Sequence, residues 1–273
     1  VEFESLVVSR EGEDLGPVAW RFCTSPRAAD EATGVSARCL LGYDLQLTPN
    51  PGIVPPDACA RFGPNAPPAQ GDGPQQRPVD PDRTGGYHLP VQASLAPGSL
   101  VREGPRADQV AFGFQRIRCD LSGATRDVFD DFEARYELNQ NPEIARVEAT
   151  GPALIGARGG LEWTVAPGST VELSAVISAD SQEPYVVYRR EHNRLEDRRE
   201  MVLVHWYITG GALAGSEQKF SPDQMAEEGL PRASTRWTAP LDSTEVTGFA
   251  VILDERGGAA WRGFRLSVKE EDG

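Results

Sequence analysis

Apolar and polar side chains alternate with a period of two at short intervals along this chain, the pattern of strands with one face on a core and the other in water. Phe264, Leu266 and Val268 alternate with Arg265 and Ser267, and Phe132, Ala134, Tyr136 and Leu138 alternate with Glu133, Arg135 and Glu137. Short apolar runs bounded by Gly, Pro, Asn or Asp predict further strands over residues 1–8, 18–22, 87–95, 110–118, 144–149, 161–165, 170–177, 234–238 and 246–253. Residues 127–131 could open a helix, but the likeness of 132–138 to 264–268 decides for a strand there. Residues 185–188 and 201–204 are predicted to pair as a hairpin with the charged stretch 189–199 at its tip. A helix through 189–199 is the alternative, carried by opposite charges at i,i+4 spacing. Ser221-Pro-Asp-Gln reads as a helix start, with Ser as N-cap and Pro at the first position.

Four segments recur in the same order. Val1-Glu-Phe-Glu-Ser-Leu-Val-Val8 matches Val171-Glu-Leu-Ser-Ala-Val-Ile177, and Trp20-Arg-Phe-Cys23 matches Trp206-Tyr-Ile-Thr209. Gly113-Phe-Gln-Arg-Ile-Arg-Cys-Asp120 matches Gly248-Phe-Ala-Val-Ile-Leu-Asp254, and Asp131-Phe-Glu-Ala-Arg-Tyr-Glu-Leu138 matches Gly263-Phe-Arg-Leu-Ser-Val268. Such a repeat predicts an all-β chain of two tandem sandwich domains, 1–142 and 143–273, divided at the turn signal Asn139-Gln-Asn-Pro142. The copies are unequal. The first has no counterpart of residues 161–169, so its opening strand lies upstream, is dispensed with, or is donated by another subunit. The first also carries a Pro-rich insertion over about 25–86, whose prolines exclude central strands and helices. The second carries an insertion over about 180–200.

Composition narrows the partners. A net charge of -14 opposes binding to nucleic acid or to an anionic membrane. Lysine occurs only at Lys219 and Lys269, with arginine at the other basic positions, so single arginines carry little functional weight. No apolar run approaches the roughly 20 residues that span a bilayer. Neither an initiator Met nor a signal peptide is present, so Val1 is expected to be a processed or trimmed start. Cys23, Cys39, Cys59 and Cys119 lack the paired close spacing of a zinc site and are expected to form two disulfides, which implies an oxidising compartment such as the periplasm or the cell exterior. Cys23 and Cys119 end neighbouring antiparallel strands at opposite edges, which favours Cys23 with Cys39 and Cys59 with Cys119. Those bonds would pin the Pro-rich insertion.

Ala166-Pro-Gly-Ser-Thr-Val-Glu-Leu, His205-Trp-Tyr-Ile-Thr-Gly-Gly, Arg236-Trp-Thr-Ala-Pro and Phe249-Ala-Val-Ile-Leu-Asp-Glu-Arg-Gly-Gly give the chain a further likeness. In these segments it resembles bacterial immunoglobulin-like domains, specifically those of secreted proteins and lipoproteins of high-GC Gram-negative bacteria. The resemblance covers most of residues 150–268. It implies an inter-sheet tryptophan, the role of Trp206 and Trp20, and implies nothing about activity, because such sandwiches host many functions.

Catalysis requires a nucleophile, a base and an orienting group in one pocket. His88, His192 and His205 come with neither a nucleophile elbow nor an HExxH motif, and His205 should face away from the core beside Trp206. No catalytic residue, and no cofactor other than a possible calcium, is expected. Asp80 and Asp82 in Asp80-Pro-Asp-Arg-Thr-Gly-Gly86 loosely match the start of a calcium loop, and a solvated turn explains them as well. Trp163, Trp237 and Trp261 form either an aromatic platform for sugars or part of the core. Arg189, Arg190 and Arg194 could take an acidic ligand, but Glu191, Glu196 and Asp197 interleave with them and favour mutual neutralisation. The expectation is a non-enzymatic extracellular or cell-surface module, structural or adhesive, that contacts other subunits or surface components within a larger assembly. Carbohydrate binding through exposed tryptophans, with or without calcium, is the alternative.

Overall fold

The computed structural model describes residues 1–7, 17–27, 34–63, 87–95, 110–121, 123–158, 160–222 and 231–270. The chain is predominantly β and divides into two compact units, residues 1–136 with 186–197, and residues 137–185 with 198–273.

In the first unit β1 (Val18–Cys23), β2 (Leu45–Thr48), β3 (Tyr87–Leu95) and β4 (Val110–Ile117) form an antiparallel sheet in the order β2-β1-β3-β4. Alternation along β3 sends Tyr87, Leu89 and Val91 to one face, where they meet Phe22, Ile117 and the helix α2 (Ala58–Phe62). Residues 1–7 form no strand, contrary to the repeat. They are instead stitched to the loop before α2: Phe3 N donates to Asn50 Oδ1 at 2.9 Å and Asn50 Nδ2 donates to the Phe3 carbonyl at 2.7 Å. The Phe3 ring then stacks on Trp20, centroids 4.9 Å apart, so the segment fills the core through one side chain.

The Pro-rich insertion holds more regular structure than its prolines suggest. α1 (Ala37–Leu40), α2 and the edge strand β2 all lie within it. Pro49, Pro51, Pro55 and Pro56 fall between these elements and interrupt none of them, and Ser36 caps α1 through its hydroxyl. Two disulfides anchor the helices, Cys23–Cys39 holding α1 to β1 and Cys59–Cys119 holding α2 to the chain after β4. They place the protein outside the reducing cytoplasm. No described helix is long and apolar enough to cross a membrane.

The stretch 132–138, expected as a strand, belongs in large part to the helix α3 (Arg126–Arg135). Its apolar residues also satisfy a helical stripe, since Val128, Phe129 and Phe132 recur at helical spacing and Phe132 is buried among Leu121, Val186 and Tyr188. Two i,i+4 ion pairs, Arg126–Asp130 and Asp131–Arg135, tip the balance, while Leu138, inward-facing in the strand version, is exposed. The second insertion is a hairpin of β9 (Pro184–Arg189) and β10 (Arg194–Arg199), so 185–188 pairs with 194–199 and not with 201–204. Asn193 makes the tight reversal, at φ +47°, a conformation that asparagine tolerates. Nearly all of this hairpin, residues 186–197, belongs to the first unit.

The second unit is a β-sandwich. One sheet has the order β12 (Ala212–Leu213), β14 (Arg232–Thr238), β8 (Thr170–Ile177), β5 (Ile144–Thr150). The other runs β13 (Glu217–Phe220), β11 (Val202–Ile208), β15 (Thr244–Asp254), β16 (Ala259–Val268), β7 (Glu162–Val165), β6 (Leu154–Arg158). Neighbours are antiparallel except β16 and β7, which run parallel over four register pairs. Between the sheets lies one core, with Val171, Leu173 and Trp237 from the first sheet against Val204, Trp206, Ile252 and Leu266 from the second. The helix expected after Ser221 falls mostly on residues 223–230, outside the described residues.

Candidate binding surface

The two outward faces of this sandwich differ in chemistry. On the four-stranded sheet every second residue points away from the core, and those residues are chiefly polar and tied to one another. Arg146 and Arg232 both hold Glu148, the Ser174 and Ser234 hydroxyls lie 2.8 Å apart, and Thr170 meets Thr238 at 3.1 Å. Hydrogen bonds from Arg146 and Arg232 keep the Glu148 carboxyl below its ordinary pKa. This is the outward face that water-exposed sandwich sheets normally show.

The six-stranded sheet breaks the rule. In β11 the core takes Val202, Val204 and Trp206, which leaves Leu203, His205 and Tyr207 outward. In β15 it takes Val246, Ala250 and Ile252, which leaves Phe249, Val251 and Leu253 outward, and in β16 the outward set includes Ala259, Trp261 and Gly263. The register aligns these in rows: Leu203, Leu253, Ala259; His205, Val251, Trp261; Tyr207, Phe249, Gly263. Tyr207 is 55% exposed and the others half-buried. Three strands about 4.8 Å apart and five residues of about 3.3 Å each give this apolar field about 240 Å².

Two crossed Gly/Phe pairs shape the end of the field beside Tyr207. Gly248 faces Phe264 and Phe249 faces Gly263 on adjacent register positions, on opposite sides of the sheet. A Cβ at Gly263 would come 3.1 Å from the Phe249 ring, so the ring packs close over the glycine, while on the core side the Phe264 ring fills the space above Gly248. Around the field several polar and charged side chains stand close to one another. His205 Nδ1 lies 3.8 Å from Glu217, Arg265 lies 3.7 Å from Glu162, Lys269 lies 3.8 Å from Glu245, and Ser267 Oγ donates to Glu245 at 2.6 Å. The last five of these residues, with Thr164, line a polar groove of about 210 Å³.

The sequence-predicted residues fall elsewhere. Trp163 and Trp237 are core residues, 7% and 0% exposed, and Trp237 Nε1 donates to the Gly210 carbonyl at 2.9 Å. A sugar platform built on those two tryptophans therefore does not form, because the inter-sheet space needs their volume; of the three only Trp261 faces outward. Arg189 and Arg194 both bond Glu196, at 2.9 and 2.8 Å, and pull its carboxyl down to about 2, while Arg190 sits exposed beside them. His192 is exposed at the hairpin tip, and the His88 ring lies 5.4 Å from Phe114. Asp80 and Asp82 lie outside the described residues. Among the described residues no three His, Cys, Asp or Glu side chains are grouped to hold a metal ion. Tyr207 and Phe249 went unnoticed in the sequence, although Val202-Leu-Val-His-Trp-Tyr-Ile and Gly248-Phe-Ala-Val-Ile-Leu are continuous apolar runs, the mark of strands covered on both faces.

One other concentration of polar groups is internal. Arg256, 3% exposed, bonds Glu200, which is 0% exposed, and bonds Glu183 at 2.7 Å and the Glu137 carbonyl at 3.3 Å, with its guanidinium 5.1 Å from the Tyr185 ring centroid. Burial pushes the Glu200 carboxyl above its ordinary pKa, and Arg256 pulls it back in part. Desolvation works against the Arg256 charge, but Glu200, Glu183 and Asp254 outweigh it and hold the guanidinium above its ordinary value. Every charge in this knot faces another protein charge, which is the arrangement of a structural rivet. No protein-family model matches the chain, and no curated protein matches it either.

Proposed function

We propose that the protein is a non-enzymatic adhesive module of the cell exterior or periplasm, and that it engages other subunits or surface components through the outward face of its six-stranded sheet. One observation carries this: over residues 203–207, 249–253 and 259–263 the side of that sheet away from the core bears apolar or aromatic residues apart from His205, with polar residues beyond them at Glu245, Thr247, Arg265 and Ser267, whereas the opposite sheet is chiefly polar. A contiguous apolar field with a polar rim, on a sheet face turned away from the core, supports a contact surface. An immunoglobulin-like identity for the second unit is supported by its strand order, since β5-β8-β14-β12 and β11-β15-β16 correspond to A-B-E-D and C-F-G. The absence of an enzymatic role is part of the same proposal and rests on the paired state of the ionisable groups described above.

The test is retention of the labelled protein on intact cells of the source organism. Tyr207→Glu, which plants a charge at the most exposed ring of the field, is expected to abolish retention, and Thr238→Glu, on the polar sheet, to leave it unchanged. Equal retention of the two variants would overturn the assignment of the surface.

A further inference from the structure

We infer that this face stacks on a neutral saccharide of equatorially substituted pyranose units, with Tyr207, Phe249 and Trp261 as the stacking platform. The inference rests on the adhesive surface proposed above and names its ligand. Pyranoses whose substituents are all equatorial, as in β-1,4-linked glucose or N-acetylglucosamine, present C–H groups on both faces of the ring. Such faces complement the negative face of an aromatic ring.

Four observations select this occupant. First, the Phe249 ring packs over Gly263, with ring carbons 3.1 and 3.5 Å from where a Cβ would stand, so the glycine leaves room for an aromatic ring on this face. Second, Tyr207 is directly opposite Phe249 in the register, and Trp261 is diagonal to it one position along the neighbouring strand. Directly opposed residues stand about 5 Å apart and diagonal ones about 7–8 Å, so the three rings can lie along neighbouring sugar units. Third, the field of about 240 Å² is far below the roughly 800 Å² each partner gives to a specific protein–protein interface. Fourth, two of the rim cations stand beside acidic side chains, Arg265 by Glu162 and Lys269 by Glu245, and Lys219 stands exposed opposite Leu203, so among the described residues the rim holds no cluster of like charge for an ionic ligand. The chain's own charge of -14 also sets two copies against each other. His205, Thr247 and Glu217 stand at the border of the field with donor and acceptor atoms suited to sugar hydroxyls.

The experiment uses the full chain, with titration calorimetry against cellohexaose and chitohexaose and pull-down on microcrystalline cellulose and chitin. At least one of these probes is expected to bind, with affinity unaltered by raised salt because no charge is engaged. Tyr207→Ala and Phe249→Ala should each weaken binding by about tenfold, the loss of one stacking contact. Gly263→Val should do the same by lifting the Phe249 ring while the thermal unfolding profile stays intact, which separates loss of the platform from loss of the fold. Absence of binding to all four probes, or binding that the three variants leave unchanged, would overturn the inference. So would a concentration-dependent dimer that Tyr207→Glu dissolves, which would make a second copy the occupant. If cells retain the protein through this face yet no saccharide binds, the saccharide is refuted and the adhesive role stands. If Tyr207→Glu leaves retention intact, both fall.

Discussion

Replacing Arg256 with methionine removes one half of a buried ion pair and keeps most of the side-chain volume. Glu200 would then be a fully buried carboxylate without its countercharge, and breaking such a pair from one side costs about 3–5 kcal/mol. The cost should depend on pH. Burial already pushes the Glu200 carboxyl upward, and loss of Arg256 removes the interaction that pulls it back. A carboxyl with a raised folded-state pKa holds its proton more tightly in the fold than in the unfolded chain, so its contribution to stability is complete below the unfolded value of 4.5 and is lost as pH rises through the folded value. The deficit of Arg256→Met relative to wild type is therefore larger at pH 8 than at pH 5. Urea unfolding at both pH values, followed by the fluorescence of the core residues Trp206 and Trp237, measures it. Adding Glu200→Gln, which keeps an acceptor for the Glu183 N–H, should return part of the loss at pH 8 and little at pH 5. A deficit under about 1 kcal/mol at pH 8, or one that grows toward pH 5, would refute the description of this knot as a charge pair dependent on mutual neutralisation.

Three other outcomes are expected. Closing a loop with a sequence separation of 60, Cys59–Cys119 should stabilise the first unit by about 4 kcal/mol, and Cys23–Cys39, with a separation of 16, by about 3 kcal/mol, so the double Ser variants should show that order in denaturant midpoints. Carboxyl NMR should find Glu196 ionised down to about pH 2, because Arg189 and Arg194 bond it; the support this gives the hairpin is present above 4.5 and lost as pH falls toward 2, and a midpoint near 4.5 would contradict the paired geometry. Gly248→Ala should lower stability by about 1–3 kcal/mol in thermal unfolding, since its methyl would meet the Phe264 ring, whereas Gly156→Ala, with open space around it, should change little.

Much of the second unit was legible in the sequence because its strands are long and its turns carry strong signals. The predicted bounds of 170–177 coincide with β8, where Ala-Pro-Gly-Ser turns the chain into the strand, and 87–95 coincides with β3 in the first unit. Failures came where two periodicities fit the same residues. Phe132 and Tyr136 stand four apart, which suits a strand's even positions and a helix's stripe alike, and the i,i+4 charges that decided for α3 were outweighed by a sequence match. Trp20-Arg-Phe-Cys23 and Gly113-Phe-Gln-Arg-Ile lie in strands as their counterparts do, but β1 and β4 are separated by β3 whereas β11 and β15 pair directly, and both ends of the first copy depart from the match. The hairpin was seen but its second strand misplaced, because Met201-Val-Leu-Val is more apolar than Arg194-Leu-Glu-Asp-Arg-Arg and was taken to be the better partner. The outward apolar face was hidden for another reason. Tryptophans drew notice as rings, although a sandwich interior claims the largest rings first, and only the side of the strand on which a residue falls tells a platform from a core.

The parallel pairing of β7 with β16 has a mechanical consequence. Arg265 to Val268 run alongside Glu162 to Val165 in the same direction, and backbone bonds from Arg265 N to Leu161 O and from Lys269 N to Val165 O, 2.9 and 3.1 Å long, brace the two ends of the pairing. Tension that draws the start of β7 and the finish of β16 apart pulls along both strands at once, so these bonds share the load in shear and do not open one after another as in a peeled hairpin.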